Sequence, residues 1–376
     1  MTGTESPPRV ACIMEQVLGH VAHDQTLRRV LRHRTDITPT WIPVTYDGDG
    51  FIERLPLTAA VRSTARGAAQ VRAGLRRAQP DVLFFHTQKP AVFHPDLIRR
   101  YPTVLSLDVT PRQYDALGAF YDHQPDLDGP VGWIKHAINR QLFHAAHTVV
   151  AWSRWVKMSL IADYGVDPER VAVIPPGIDL ELWGPPPDRS TRPQPRVLFV
   201  GGDFQRKGGD HLLDWFQNRG AAHCELDIVT RSAVPRIDGL RVHRNITPNS
   251  PAIRALFQEA DIFVLPSLGE CFGIAAIEAM AAGLPVVMTR VGGAEDIVDQ
   301  GQNGWLIAPN DQAALAHALD GLVSDSTARR AMGAAAREKA GQAFNAATNA
   351  GRLAECLRAA AATGAARAPS PVLARI

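Results

Sequence analysis

Short apolar runs alternate with amphipathic stretches along the whole chain. RVACIM (9–14), PDVLFFH (80–86), TVLSLD (103–108) and HTVVAWS (147–153) are nearly continuous apolar segments, several closing on a polar residue. HDQTLRRVLRH (23–33) and VGWIKHAINRQLFHAA (131–146) lie between them with helical spacing. The second half repeats the theme with RVLFVGG (196–202), ELDIVT (225–230), DIFVLPS (261–267) and LPVVMT (284–289). Strands apolar on both faces, separated by helices, predict an α/β chain with parallel sheets covered on both sides.

The pattern breaks once, at VIPPGIDLELWGPPPDRSTRPQPR (173–196), which is dense in proline, glycine and charge and reads as a linker. Two doubly wound domains are therefore expected, 1–175 and 196–345, joined by 176–195 and followed by a helix and tail over 346–376. The low-complexity end AAAATGAARAPSPVLARI (359–376) is expected to fray. Ligands of such sheets bind at the carboxyl ends of the strands, so two facing sheets make a central cleft.

Composition narrows the function. A length of 376 residues suits two cores. A net charge of +2, with no block of like charge, points away from nucleic acid. Cys12, Cys224, Cys271 and Cys356 form no CxxC pair, which argues against a disulfide framework or zinc site and fits a reducing, cytoplasmic setting. The polar start MTGTESPPRVACIM does not read as a signal peptide, and no run approaches the ~18 apolar residues of a membrane span.

Two constellations carry chemistry. In VGGDFQRKGGDHLLDWF (200–216) a strand ends, a glycine-rich loop follows and a helix starts near Gly209, with Arg206 and Lys207 at the loop tip. Backbone N–H groups with a guanidinium and an ammonium side by side suit a diphosphate, and a tight turn with solvated charges is the plain alternative. In GECFGIAAIEAMAAGLP (269–285) Glu270 sits on a loop and Glu278 about one and a half turns into a helix that Gly283 and Pro285 end. A carboxylate accepts hydrogen bonds from the vicinal hydroxyls of a sugar or ribose, and the helix start at Phe272–Ile274 suits phosphate. Alternatively, Glu270 complements the helix dipole and Glu278 is a solvated helix position.

Together, the RKG loop, PSLGECFGIAAIEAMAAGLPVVMTRVGGAEDIV, the hinge VIPPGID (173–179) and GGAEDIVDQGQNGWLI (292–307) resemble family 4 of the retaining glycosyltransferases, which have the GT-B fold. The resemblance is close over 196–307 and loose before that. It implies a hexosyltransferase that takes a nucleoside-diphosphate sugar, UDP-linked by default, to an acceptor alcohol, lipid-like or small, and retains configuration. It implies Glu270 beside the donor sugar, Glu278 on the ribose, Lys207 on the diphosphate, and Phe272, Gly273 and Ile274 along sugar and phosphate. Ile246 corresponds to the stretch whose backbone reads the base. Gly19 corresponds to one glycine of the family's Gly-Gly loop, with Leu18 in the other place. His23 matches the motif histidine and His86 the histidine at the reaction centre. Where the family has an arginine after the first loop glycine, this chain has Gly202, and Arg206 is the candidate to supply that charge.

Other readings stay open. His86 at a strand end is also a plausible structural residue, and His20 with His23 has the i, i+3 spacing of metal ligands without a completing Cys or carboxylate. Asp47-Gly48-Asp49 reads as a turn, so no metal or other cofactor is expected. From 54 to 80 run Arg54, Arg62, Arg66, Arg72, Arg76 and Arg77 without an acid, opposite Leu57, Val61, Val71 and Leu75. That helix is a candidate for peripheral contact with an anionic inner-membrane face, set against simple packing on a sheet. A glycoside hydrolase with paired carboxylates, or a non-catalytic sugar-nucleotide-binding protein, are the rival functions.

Overall fold

The computed structural model describes residues 6–17, 19–47, 59–121, 123, 129–184 and 192–367. Two six-stranded parallel sheets form the frame. The first contains β1 (Arg9–Glu15), β2 (Thr38–Val44), β3 (Val82–Phe85), β4 (Thr103–Leu107), β5 (Thr148–Ala151) and β6 (Val171–Val173), in the order β2-β1-β3-β4-β5-β6. The second contains β7 (Arg196–Val200), β8 (Glu225–Val229), β9 (Leu240–His243), β10 (Ile262–Leu265), β11 (Val286–Thr289) and β12 (Gly304–Ile307), in the order β12-β11-β10-β7-β8-β9. Strand order reverses between β1 and β3 in one sheet and between β7 and β10 in the other. Such switch points open a crevice at the strands' carboxyl ends. The glycine-rich loop follows β7, the Glu270 loop follows β10, Gly19 follows β1 and His86 follows β3, so both crevices carry the expected site residues.

The edge strands are less apolar than the expected ones. β2 (TPTWIPV) carries Pro39 and Pro43, and β9 is half-buried throughout. Proline is tolerated at an edge because one side of the strand needs no ladder donor.

The linker and tail differ from expectation. Ile178 and Trp183 are buried in the C-terminal core, so 174–184 is packed chain rather than free linker. Ile178 N donates to Phe344 O at 2.7 Å and Ala346 N donates to Ile178 O at 3.0 Å, so the two crossings between sheets run side by side. The final helix, Ala346–Arg367, returns to the first sheet. Its Ala350, Leu353, Ala354, Leu357 and Ala360 fill one core cluster with Val10, Cys12, Leu27, Leu31 and Phe84. Residues 359–367 therefore continue a helix where fraying was expected; 368–376 lie outside the described residues. Periodic apolar contact outweighs the low complexity of the alanine-rich sequence.

The arginine-rich segment is the helix Ala59–Ala78. Val71 is fully buried and Leu75 packs against the same core, while Arg72 pairs with Asp96. Its apolar side serves the sheet, which is the packing alternative of the two readings given for this segment. Arg54 and Leu57 lie outside the described residues, as do Leu18, Gly48 and Asp49. Among the described residues no helix is long and apolar enough to cross a membrane.

Candidate functional site

The glycine-rich loop is pressed onto the end of β10. Gly208 has φ +75° and lies where an added Cβ would fall 1.9 Å from Pro266 O, so no larger residue fits. The turn this glycine permits carries Lys207 to Glu270, and Lys207 Nζ donates to Glu270 Oε2. Both side chains are largely buried. Glu270 Oε1 also accepts from Cys271 N at 3.2 Å.

Arg206 faces elsewhere. It donates to Asp203 Oδ2 at 3.1 Å, Gly269 O at 2.9 Å and Tyr121 Oη at 3.2 Å, and its guanidinium lies 4.4 Å from the Tyr121 ring centre. Tyr121 comes from the N-terminal half, so Arg206 ties the halves together. Sequence reasoning missed Tyr121, whose role depends on tertiary placement. Part of the loop's amide set is taken: those of Gly201, Arg206, Lys207, Gly208 and Gly209 donate to protein acceptors, while those of Gly202 and Asp203 donate to none among the described residues.

The second anion-ready feature is more open. The helix Ile274–Ala281 starts after Gly273, and the amides of Gly273, Ile274 and Ala275 donate to no acceptor among the described residues. Phe272 is buried and meets Trp152 of the first sheet edge-on, with ring centres 6.0 Å apart. Gly19 stands across from Ile274: a Cβ on it would lie 3.6 Å from Ile274 Cδ1. Glu278, one turn into this helix, is only 8% exposed. Its carboxylate makes no hydrogen bond or ion pair among the described residues, and burial pushes its pKa up to about 7. Ile246 is half-buried on the loop after β9 and packs against the same core.

On the N-terminal side a histidine cluster fills the switch point. His20 Nε2 hydrogen-bonds Asp108 Oδ2 at 3.2 Å, and its Nδ1 lies 3.5 Å from Glu15 Oε2. Burial alone would lower the His20 pKa, but the two carboxylates outweigh it and raise it to about 10. His23 is driven the other way, to about 3, by burial and then by the His20 charge. His86 is fully buried and stacked on His23 at 5.0 Å, and neither of its ring nitrogens has a hydrogen-bond partner among the described residues. The structure thus groups His20, His23 and His86 with Trp152, behind the face where Gly19 meets Ile274. The sequence singled out His86; the charged and better exposed member is His20. Among the described residues no group of three or more His, Cys, Asp or Glu is arranged to hold a metal ion.

Comparison with known proteins follows this division. Residues 20–182 match the model of Glycosyltransferase Family 4, and residues 194–325 match Glycosyl transferases group 1. The D-inositol 3-phosphate glycosyltransferase of Corynebacterium kroppenstedtii is 30% identical over 57% of this chain and 53% of its own length. The chain spans a little over half the length of this and the next curated relatives, 53–59%. The glycogen synthase of Mycobacterium tuberculosis is 29% identical over 73% of this chain and 70% of its own. Among solved structures, sucrose-phosphate synthase from Thermosynechococcus elongatus superposes with a TM-score of 0.75 at 19% identity, covering 96% of this chain and 100% of that one. Anabaena Alr3699/HepE in complex with UDP and glucose gives 0.65 at 18% identity, covering 93% and 99%. With the two family models together spanning most of its length, on two doubly wound sheets that meet at their switch points, the chain belongs to the group 1, family 4 glycosyltransferases and has the GT-B fold.

Proposed function

We propose that the chain is a retaining, metal-independent hexosyltransferase that moves a hexose from a nucleoside-diphosphate sugar to an acceptor hydroxyl. The observation that carries this reading is Glu278: a buried carboxylate without a partner among the described residues, one turn from three amides that also have none there. Such a carboxylate is costly unless something hydrogen-bonds it, and vicinal ribose hydroxyls do so while the amides take phosphate. Uridine is the proposed base, in keeping with the UDP bound by the Anabaena neighbour. Residues 196–345 hold the donor and 1–175 the acceptor.

In this reading Lys207 and the amides of Gly273–Ala275 meet the diphosphate, Glu270 the donor sugar, and Ile246 the base. The anomeric carbon–oxygen bond to phosphate breaks and the bond to the acceptor oxygen forms. The acceptor proton passes to the leaving phosphate oxygen, so neither glutamate acts as a base. Preorganised charge on the leaving group supplies the catalysis. Closure of the halves, through contacts such as Arg206 with Tyr121, excludes water so that transfer outruns hydrolysis. His86, whose ring nitrogens have no partner among the described residues, and the charged His20 lie beneath the transfer face. The acceptor is a lipid-like or small alcohol; the curated relatives' names add a polyol phosphate to the panel worth testing.

A peripheral membrane contact remains part of this proposal, on a different helix from the one expected. Pro130–Ala145 exposes Val131, Trp133, Ile134 and Ile138, at 57, 71, 59 and 43%. The helix has no acid and carries Lys135 and Arg140, a composition suited to an anionic lipid surface.

The test of the donor reading is a panel of nucleoside-diphosphate sugars, read by saturation-transfer NMR and by nucleoside diphosphate released with mixed acceptors. Saturation on ribose and hexose protons together with release is expected. Binding without release would leave a non-catalytic binder; sugar release from a glycoside without nucleotide would indicate a hydrolase.

A further inference from the structure

Each of the two glycines after β7 lies against a basic side chain. A Cβ on Gly201 would lie 2.9 Å from Lys207 Cγ, and a Cβ on Gly202 would lie 3.3 Å from Arg231 Nη2 and 3.6 Å from its Nε. Arg231 stands two residues past the end of β8. Its backbone is held there, because Gly201 N donates to Val229 O at 2.9 Å and Thr230 Oγ1 donates to Gly202 O at 3.4 Å. The side chain is exposed, and its guanidinium has no hydrogen bond or ion pair among the described residues. Arg206, the nearer cation in sequence, is engaged by Asp203, Gly269 and Tyr121.

We propose that Arg231 and Lys207 grip the donor's diphosphate from opposite sides of Gly201–Gly202, and that Arg231 rather than Arg206 is the second cation on the leaving group. The proposal rests on the donor reading above. A guanidinium fork matches two phosphate oxygens, an ammonium supplies a point charge, and a glycine pair between them leaves the backbone approachable. Charge gathers on the diphosphate as the anomeric bond breaks, so an uncommitted cation there gains strength in the transition state. A side chain at 202 would stand between the guanidinium and the loop. The chain therefore places just past β8 the charge that it omits from the loop itself.

The experiment compares Arg231→Gln, Arg206→Gln and Lys207→Gln by calorimetry with the nucleoside diphosphate and by kcat and KM for the donor. Arg231→Gln is expected to weaken diphosphate binding about tenfold or more, the worth of a charged hydrogen bond, and to lower kcat besides. Arg206→Gln is expected to lose less diphosphate affinity than Arg231→Gln. The exchange Arg231→Gly with Gly202→Arg is expected to recover turnover, which a misfolded variant could not do. Unchanged binding in Arg231→Gln, with Lys207→Gln impaired, would overturn the proposal while leaving the donor reading intact. Unchanged binding in both Lys207→Gln and Glu278→Gln would remove the donor reading and this proposal together.

Discussion

Lys207 Nζ donates to Glu270 Oε2, so the cation proposed for phosphate and the carboxylate proposed for sugar hold each other. Donor binding then trades one ion pair for two ligand contacts rather than inserting charge into a bare cleft. Both side chains are largely buried, and truncating one partner strands the other.

That pairing predicts non-additive stability. Lys207→Ala and Glu270→Ala should each destabilise the folded protein, and the double variant should cost less than the sum, with a coupling of about 0.5–3 kcal/mol. Denaturant unfolding of the four proteins measures it. Additive losses would mean that the two side chains contribute independently and that the pair carries no coupling.

Glu278 predicts a pH-dependent donor. Glu278→Ala should weaken donor binding by about 1.5–3 kcal/mol with the fold intact. Burial raises the carboxyl's pKa to about 7, so wild-type affinity should fall as pH drops through that value and the acceptor oxygens take a proton. Stability moves the other way. A raised carboxyl contributes to folding below its unfolded pKa, near 4.5, and that contribution is lost as pH rises through about 7. Glu278→Gln should therefore gain stability relative to wild type as pH rises from about 4.5 to about 7, level off above that, and lose the pH dependence of donor affinity. Calorimetry and thermal unfolding across that range check both signs. Flat wild-type affinity would remove the ribose role.

The exposed face of Pro130–Ala145 predicts binding to anionic vesicles, with each nearby cation worth about 1 kcal/mol. Co-sedimentation should fall with added salt and disappear when Trp133 and Ile134 become Ser. Equal binding by the Ser variant, or none to anionic vesicles at low salt, would leave this face outside any lipid contact.

Much of this was legible in the chain because parallel strands buried on both faces write themselves as continuous apolar runs. β1, β3, β4, β5, β7, β8, β10 and β11 all fall where such runs lie. The edge strands β2 and β9 did not stand out, since half-buried residues and two prolines imitate loop. The Glu270–Glu278 stretch was readable because a loop and a helix start are local signals. What escaped depended on long-range placement: Tyr121 under Arg206, Arg231 over Gly202, and a C-terminal helix that returns to the first sheet. None of these leaves a local spacing to read. Trp183 looked like linker because the residues around it are Pro and Gly, yet burial against Phe257 decides its place.

Above all, we propose that the protein transfers a hexose from a nucleoside-diphosphate sugar and keeps its configuration. The most direct measurement is the anomeric NMR coupling of the glycoside formed from a UDP-α-hexose and the acceptor panel, with released UDP counted alongside. We expect an α-linked product, one UDP for each glycoside, and less of both from Glu278→Ala when the donor is below saturation. A β-linked product would contradict the proposal.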